Sequence, residues 1–226
     1  FPDVVELIKE SILYNCEARI EMDDKAFYIP VGNGTEVGFV RFLQDAEIPV
    51  HELIRKKLGK IEAVVPFSTL RKRSVTAVRI PGNEDIVRVY VKGAPEFIVN
   101  KCIRTFNVDG KKVPMSDEQL NYIIDDIIRK KFTTQAYRCL AFAYKDYPLA
   151  DFQNMRDQHG NFESDTDKLI LEKDLTFLGV FALQDDLRDK VTRSVQFAKR
   201  GMINIRMVSG DNIDTATAVA IKAGIL

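Results

Sequence analysis

The stretch Ile86-Val87-Arg88-Val89-Tyr90-Val91-Lys92-Gly93-Ala94-Pro95-Glu96 decides the fold, because it reads as a strand, a tight turn and the start of a helix. Successive side chains on a strand point to opposite faces. Val87, Val89 and Val91 therefore share one face, and Arg88, Tyr90 and Lys92 share the other. If the valines build core, Lys92 emerges on the open face at the strand's end. Gly93 lets the backbone turn, and Pro95 suits the first turn of a helix, where its missing N–H is not needed. Glu96 favours that helix's positive end. A lysine beside a glycine turn is an anchor for a phosphorylated ligand; a plain corner with a surface lysine has the same residues.

Two further strands precede this one, at residues 60–67 and 74–80. Pro81-Gly82-Asn83 is a turn signal that makes a hairpin of the second and third. Phe67-Ser68-Thr69-Leu70-Arg71-Lys72-Arg73 joins the first pair, and an aromatic followed by three cations is unusual for a loop. A phenylalanine at a strand end is also an ordinary core residue. Upstream, residues 2–15 carry Val4, Ile8 and Ile12 on one helical stripe. Gly32-Asn33-Gly34 breaks the chain, and Thr35 or a neighbour caps a helix over residues 36–45, with Glu36 in its first turn. A short helix over 49–58 ends at Gly59.

Downstream, Asp109-Gly110 marks a hairpin turn, and Ser116 opens a helix with Gln119 as its capping-box partner. Leu120, Ile123, Ile124, Ile127 and Ile128 form its apolar stripe, and Asp125 and Asp126 a solvated face. Residues 137–144 read as a strand that begins near Arg138, and residues 151–173 as a polar loop with short helical pieces. A domain boundary is placed after residue 173. The pattern then becomes strand, helix, strand, helix over 175–183, 189–200, 203–208 and 213–223, which is half of a doubly wound parallel sheet. Functional groups in such sheets gather at the carboxyl ends of the strands. Those ends are Gln184-Asp185-Asp186-Leu187-Arg188 and Ser209-Gly210-Asp211-Asn212.

Composition narrows the function classes. Hydrophobic residues make up 46% and charged residues 29% of 226, ordinary globular values with ample core. Lys+Arg and Asp+Glu balance at 33 each, so no charge excess points to nucleic acid or a membrane surface. Cys16, Cys102 and Cys139 are odd in number and widely spaced, which reads as free thiols in a reducing compartment. The apolar run 177–183 is far short of the ~20 residues a bilayer span needs. A chain that starts at Phe1 reads as a piece of something longer, as would a processed protein. No Gly-x-x-x-x-Gly-Lys-Ser/Thr phosphate loop, no Gly-x-Ser-x-Gly elbow and no metal-spaced company for His51 or His159 occurs.

Five short stretches, in this order, resemble the cation-transporting P-type ATPases: Gly32-Asn-Gly-Thr-Glu36, Phe67-Ser-x-x-Arg-Lys72, Lys92-Gly-Ala-Pro-Glu96, Arg138-Cys-Leu-Ala141 and Arg206-Met-Val-Ser-Gly-Asp-Asn212. The whole chain is most similar to the plasma-membrane-type Ca²⁺-transporting ATPases. The resemblance implies an α/β chain in two parts. The first, 1–173, is an α+β ATP-binding domain with an antiparallel sheet flanked by helices. The second, 174–226, is part of a doubly wound, haloacid-dehalogenase-like phosphorylation domain.

It also implies roles. Phe67 would stack on adenine, with Lys92 and Gly93 lining the same pocket and Glu36 at the base's polar edge. Arg138 would reach the ribose or phosphates, and Lys72 would add positive charge. Ser209, Gly210 and Asp211 would face the γ-phosphate once the domains close, and Asp185 and Arg188 would lie at the hinge and phosphorylation-site edge. Thr69 stands where some relatives place an arginine, so a phosphate contact is either missing or supplied by Arg71 or Lys72; Ser209 stands in place of threonine, and Asp186 in place of proline. The family's phosphorylated Asp-Lys-Thr-Gly-Thr and its Gly-Asp-Gly-x-Asn-Asp segment for Mg²⁺ do not occur, so the resemblance implies ATP binding without hydrolysis. The partners it implies are ATP, Mg²⁺ in the full-length protein, and the remaining domains of a membrane pump whose cytosolic part this is. A soluble haloacid-dehalogenase-like phosphatase and a non-catalytic interaction module are the rival readings.

Overall fold

The computed structural model describes residues 2–25, 27–55, 59–184, 187–210 and 213–226. In chain order the elements are α1 (Pro2–Tyr14), β1 (Arg19–Met22), β2 (Tyr28–Val31), α2 (Gly34–Asp45), α3 (Val50–Arg55), β3 (Ile61–Val65), β4 (Arg73–Ile80), β5 (Asn83–Gly93), α4 (Pro95–Ile98), β6 (Cys102–Phe106) and β7 (Lys112–Pro114). They continue as α5 (Asp117–Asn121), β8 (Arg138–Pro148), α6 (Leu149–Gln158), α7 (Asp165–Lys168), β9 (Leu175–Leu183), α8 (Val191–Arg200) and α9 (Ile213–Ala223). β1 and β2 form a two-stranded sheet, and the other seven strands a mixed sheet in the order β3-β4-β5-β8-β9-β6-β7. The pairs β3/β4, β4/β5, β5/β8 and β6/β7 are antiparallel, and β6/β9 is parallel. The chain is thus mixed α/β, as expected.

The chain divides into two compact units, Phe1–Ser116 with Ala141–Gly179, and Asp117–Leu140 with Val180–Leu226. In the first, β5 is covered on both faces. Val87, Val89 and Val91 are fully buried, and each contributes about 1.5–3 kcal/mol by leaving water. Val87 pairs with Tyr147 of β8, whose ring packs edge-on against Phe152 of α6, so α6 lies on the valine side. The opposite side is equally closed. Tyr90 donates its hydroxyl to Glu10 of α1, and Lys92 pairs across the ladder with Phe142, which meets Phe39 of α2 edge-on at 5.1 Å. Burial, reinforced by Glu10, pushes the Tyr90 phenol well above its ordinary value and keeps it a donor. Arg88 forks onto Asp146 through Nε (2.7 Å) and an NH2 nitrogen (3.0 Å).

The sequence reading of an open face for Lys92 is therefore corrected: helices cover the polar side of β5 too. Alternation shows which residues share a face, and not how many layers lie above it. Of the cap positions expected at Thr35 or a neighbour, Asn33 is the one used by α2, its side chain accepting from the Thr35 N–H at 2.9 Å. Residues 151–173, expected as a loop with short helical pieces, begin inside the ten-residue α6 and continue through short helical turns, with Phe152 and Phe162 buried as their apolar anchors.

In the second unit, α5 opens after Ser116 and continues as a wider π-type helix over Tyr122–Phe132. Its acidic face is solvated as expected, with Asp125 on Arg129 at 2.6 Å and Asp126 on Lys130 at 2.7 Å. β9, α8 and α9 fall where the sequence placed them. Residues 203–208 do not form the expected strand. They carry the alternation, but a strand is made by its ladder, and among the described residues no strand pairs with this segment, whose Ile203 N–H donates back to the Ala198 carbonyl of α8 at 3.0 Å; Ile203 and Val208 stay exposed.

Candidate nucleotide site

β4 and β5 set the geometry of the site. Register fixes Ser74 opposite Lys92 and Arg73 opposite Gly93. On the other side Val65 of β3 pairs with Val75, which in turn pairs with Val91. Phe67 follows Val65 by two positions, so it leaves the sheet at the same end as Lys92 and Gly93. The residue is 56% exposed. An ordinary core phenylalanine would be buried, so the core reading of Phe67 is set aside.

Lys92 is 6% exposed, and its ammonium donates to Glu36 Oε1 at 2.6 Å and lies 3.5 Å from Cys16 Sγ. The second carboxylate oxygen of Glu36 accepts the backbone N–H of Glu17 at 2.8 Å. Glu36 sits in the first turn of α2, where the helix dipole favours it, but its carboxylate is committed to Lys92 and Glu17 rather than to capping alone. A buried charge needs such a partner. Cys16 is held as the neutral thiol: burial pushes its pKa up to about 11, against the lowering pull of Lys92.

Gly93 is required by close approach. A Cβ there would run into the Lys72 carbonyl oxygen and lie 2.5 Å from Arg73 Cβ. That approach is sealed by the Ala94 N–H, which donates to the Lys72 carbonyl at 3.0 Å. The Lys-Gly-Ala-Pro-Glu corner and the Phe67–Lys72 loop are thus one backbone junction.

Ser68 organises the loop itself. Its hydroxyl accepts the N–H groups of Leu70 and Arg71, and its carbonyl accepts the Lys72 N–H at 2.6 Å. Lys72 consequently takes a left-handed conformation, φ 59°. Thr69 is exposed and Lys72 half-buried. Arg71 is buried and turned to Glu172 at 2.5 Å, so the sequence alternative that gave Arg71 a phosphate contact is not favoured.

Of the other residues singled out by sequence, Arg138, Arg188, Ser209 and Gly210 belong to the second unit and are all exposed. Arg138 opens β8, and Ser209 and Gly210 precede α9. Asp185 and Asp211 lie outside the described residues. His51 stacks on Tyr28 at 4.1 Å, and His159 Nδ1 faces Asp167 at 3.1 Å. All three cysteines are free thiols.

Sequence reasoning missed Cys16, Ser68 and Glu172. Ser68 had a signal, a hydroxyl at a strand-to-loop turn. Glu172 had none, because its partners Arg71 and Arg73 are 101 and 99 residues away in the chain.

An exposed aromatic residue and a buried lysine–carboxylate pair thus lie toward the same end of the mixed sheet. The chain belongs to the P-type ATPases, its residues 3–190 matching the family model described as P-type ATPase, cytoplasmic domain N. Over all of its length it is similar to plasma membrane calcium-transporting ATPase 4 of Bos taurus, 32% identical over 233 residues, and to the protein of that name in Homo sapiens, at the same identity and length. It is likewise similar along its full length to calcium-transporting ATPase 3, plasma membrane-type, of Oryza sativa subsp. japonica, 33% identical over 230 residues. These alignments cover 18%, 17% and 20% of the respective relatives, so the chain spans about a fifth of their length. Among its described residues no helix is long and apolar enough to cross a membrane.

Proposed function

We propose that this chain binds ATP and presents its γ-phosphate to an aspartate outside residues 1–226, as the cytosolic headpiece of an ATP-driven cation pump. Calcium is the ion for which its relatives are named. In this reading residues 1–173 form the ATP-binding domain and 174–226 part of the phosphorylation domain. The observation that carries the proposal is the exposed Phe67 ring at the sheet end where Lys92 and Gly93 meet the Lys72 loop.

Phe67 stacks on adenine, an interaction worth roughly 1–3 kcal/mol. The Lys92–Glu36 pair offers the base's polar edge a donor and an acceptor together. Lys72 takes the phosphate contact that Thr69 cannot make as a cation, and Arg138 reaches the ribose or phosphates. Ser209, Gly210 and Asp211 receive the γ-phosphate, with Asp185 and Arg188 at the hinge. Mg²⁺ would enter with the phosphates and neutralise their charge. The described residues gather no His/Cys/Asp/Glu cluster for it, and the reading asks none of them to hold it.

With its phosphates half in solvent, ATP binds with a Kd on the order of 0.1–1 mM, about 4–5.5 kcal/mol. At 10 mM ATP the folded state then gains about 1.4–2.7 kcal/mol by mass action, and the melting temperature rises. Phe67→Ala removes most of that rise and leaves the ligand-free melting temperature within the range of a surface substitution. No rise with ATP would leave the non-catalytic interaction module as the reading. A collapse of the ligand-free fold in Phe67→Ala would return the ring to the core.

A further inference from the structure

Glu172 is fully buried, at 0% exposure, in the turn before β9. Both carboxylate oxygens are used: Oε1 accepts from Arg71 at 2.5 Å and Oε2 from Arg73 Nε at 2.5 Å. Lys101 adds a third cation at 3.9 Å. Arg73 also donates through NH1 to the Arg71 carbonyl at 2.7 Å, which ties the loop's backbone to the ion cluster. The two arginines flank Lys72, the residue held at φ 59° whose carbonyl receives the Ala94 N–H. A carboxylate that served stability alone could grip any two cations in the unit. This one grips the residues on either side of the bend that presents Phe67 and Lys72.

Glu62 provides an internal contrast. It is also nearly buried and multiply paired, with Arg79 at 2.5 Å, Arg156 at 3.3 Å and Lys60 at 3.6 Å. Its partners belong to β4, α6 and the residue just before β3, and none to the Phe67–Lys72 loop.

We propose that Glu172 is a positioning residue for nucleotide capture, fixing from behind the Arg71–Arg73 segment so that the Phe67–Lys72 loop is ordered before ligand arrives. This rests on the nucleotide reading above. A loop already ordered loses little freedom on binding, and that preorganisation appears as affinity. Loosening it by removing the Glu172 charge weakens ATP by about three- to tenfold, the cost of re-ordering an aromatic side chain and its loop.

The test uses this 226-residue chain as wild type, Glu172→Gln, the milder Arg71→Lys, and Glu62→Gln as the control cluster. ATP affinity is measured by calorimetry, and order of the ligand-free Phe67 ring by ¹⁹F resonance linewidth of a fluorinated phenylalanine. The expected result is weaker ATP binding and a mobile Phe67 ring in Glu172→Gln, a smaller effect of the same kind in Arg71→Lys, and affinity within about twofold of wild type in Glu62→Gln despite a comparable fall in melting temperature. If Glu172→Gln does not fold, Arg71→Lys decides alone. Unchanged affinity and ring order in a folded Glu172→Gln, or an equal loss in Glu62→Gln, overturns the proposal. Should the wild-type chain bind no ATP, the nucleotide reading fails, and the ligand-free ring signal still decides whether Glu172 positions the loop.

Discussion

Lys92 and Glu36 meet Nζ to Oε1 at 2.6 Å, 56 residues apart in sequence, one near the end of a central strand and the other in the first turn of α2. The pair turns what reads as a free surface lysine into a half of a buried, neutral unit. A neutral unit with a donor and an acceptor side by side suits a purine edge better than a phosphate. In the proposed ATP-binding reading, phosphate recognition then falls to other cations.

The pair predicts non-additivity. Lys92→Ala leaves the Glu36 carboxylate without its cation in a mostly closed site and costs about 1–3 kcal/mol of stability. Adding Glu36→Gln removes the stranded charge and restores much of that loss. ATP affinity falls in the single variant and stays low in the double. Thermal melts and calorimetric titration of the three proteins check this; a double variant no more stable than Lys92→Ala would mean the two residues do not act as a pair.

Gly93→Ala tests the junction between the strand corner and the loop. The added methyl faces the Lys72 carbonyl and Arg73 rather than a flexible side chain. Overpacking against backbone costs about 1–3 kcal/mol or more. A chemical-denaturation midpoint that falls without a change in slope is the expected outcome. An unchanged midpoint would show the two segments to be further apart than described.

Base should unfold the protein earlier than its ordinary residues suggest. Burial pushes the Cys16 thiol up to about 11 and Cys102 up to about 12 from the ordinary value of 9.0. A group that binds its proton more tightly when folded contributes its full stability below the unfolded value. Above pH 9.0 the unfolded thiols ionise while the folded ones do not, so stability declines from there through about 11 and 12. Melting temperature against pH should be flat with respect to these groups at pH 7–8 and fall above 9.0. Cys16→Ala with Cys102→Ala should flatten the part of that fall due to them; an unaltered profile would assign it elsewhere.

The sequence is a good guide where the physics is local. α1, the β4–β5 hairpin, β9 and α9 follow from apolar periodicity and turn residues. Phe67, Glu36 and Lys92 are visible because they stand in motifs beside turns. What the sequence does not show is long-range. That α1 and α2 cover the Arg88-Tyr90-Lys92 face depends on Glu10 and Glu36 arriving from helices far upstream. Glu172 is one charge in a polar stretch until the fold sets it between two arginines. Residues 203–208 fail for the complementary reason: they have a strand's alternation, but alternation cannot supply a neighbour to hydrogen-bond.

The most direct test of the central claim is an ATP titration of this chain followed through its backbone amide resonances. The account predicts saturable shifts with a Kd on the order of 0.1–1 mM, concentrated at Phe67, Ser68, Lys72, Lys92, Gly93 and the first turn of α2, and lost in Phe67→Ala. Saturable shifts that leave those residues unmoved, or no shifts at all at 10 mM ATP, would contradict it.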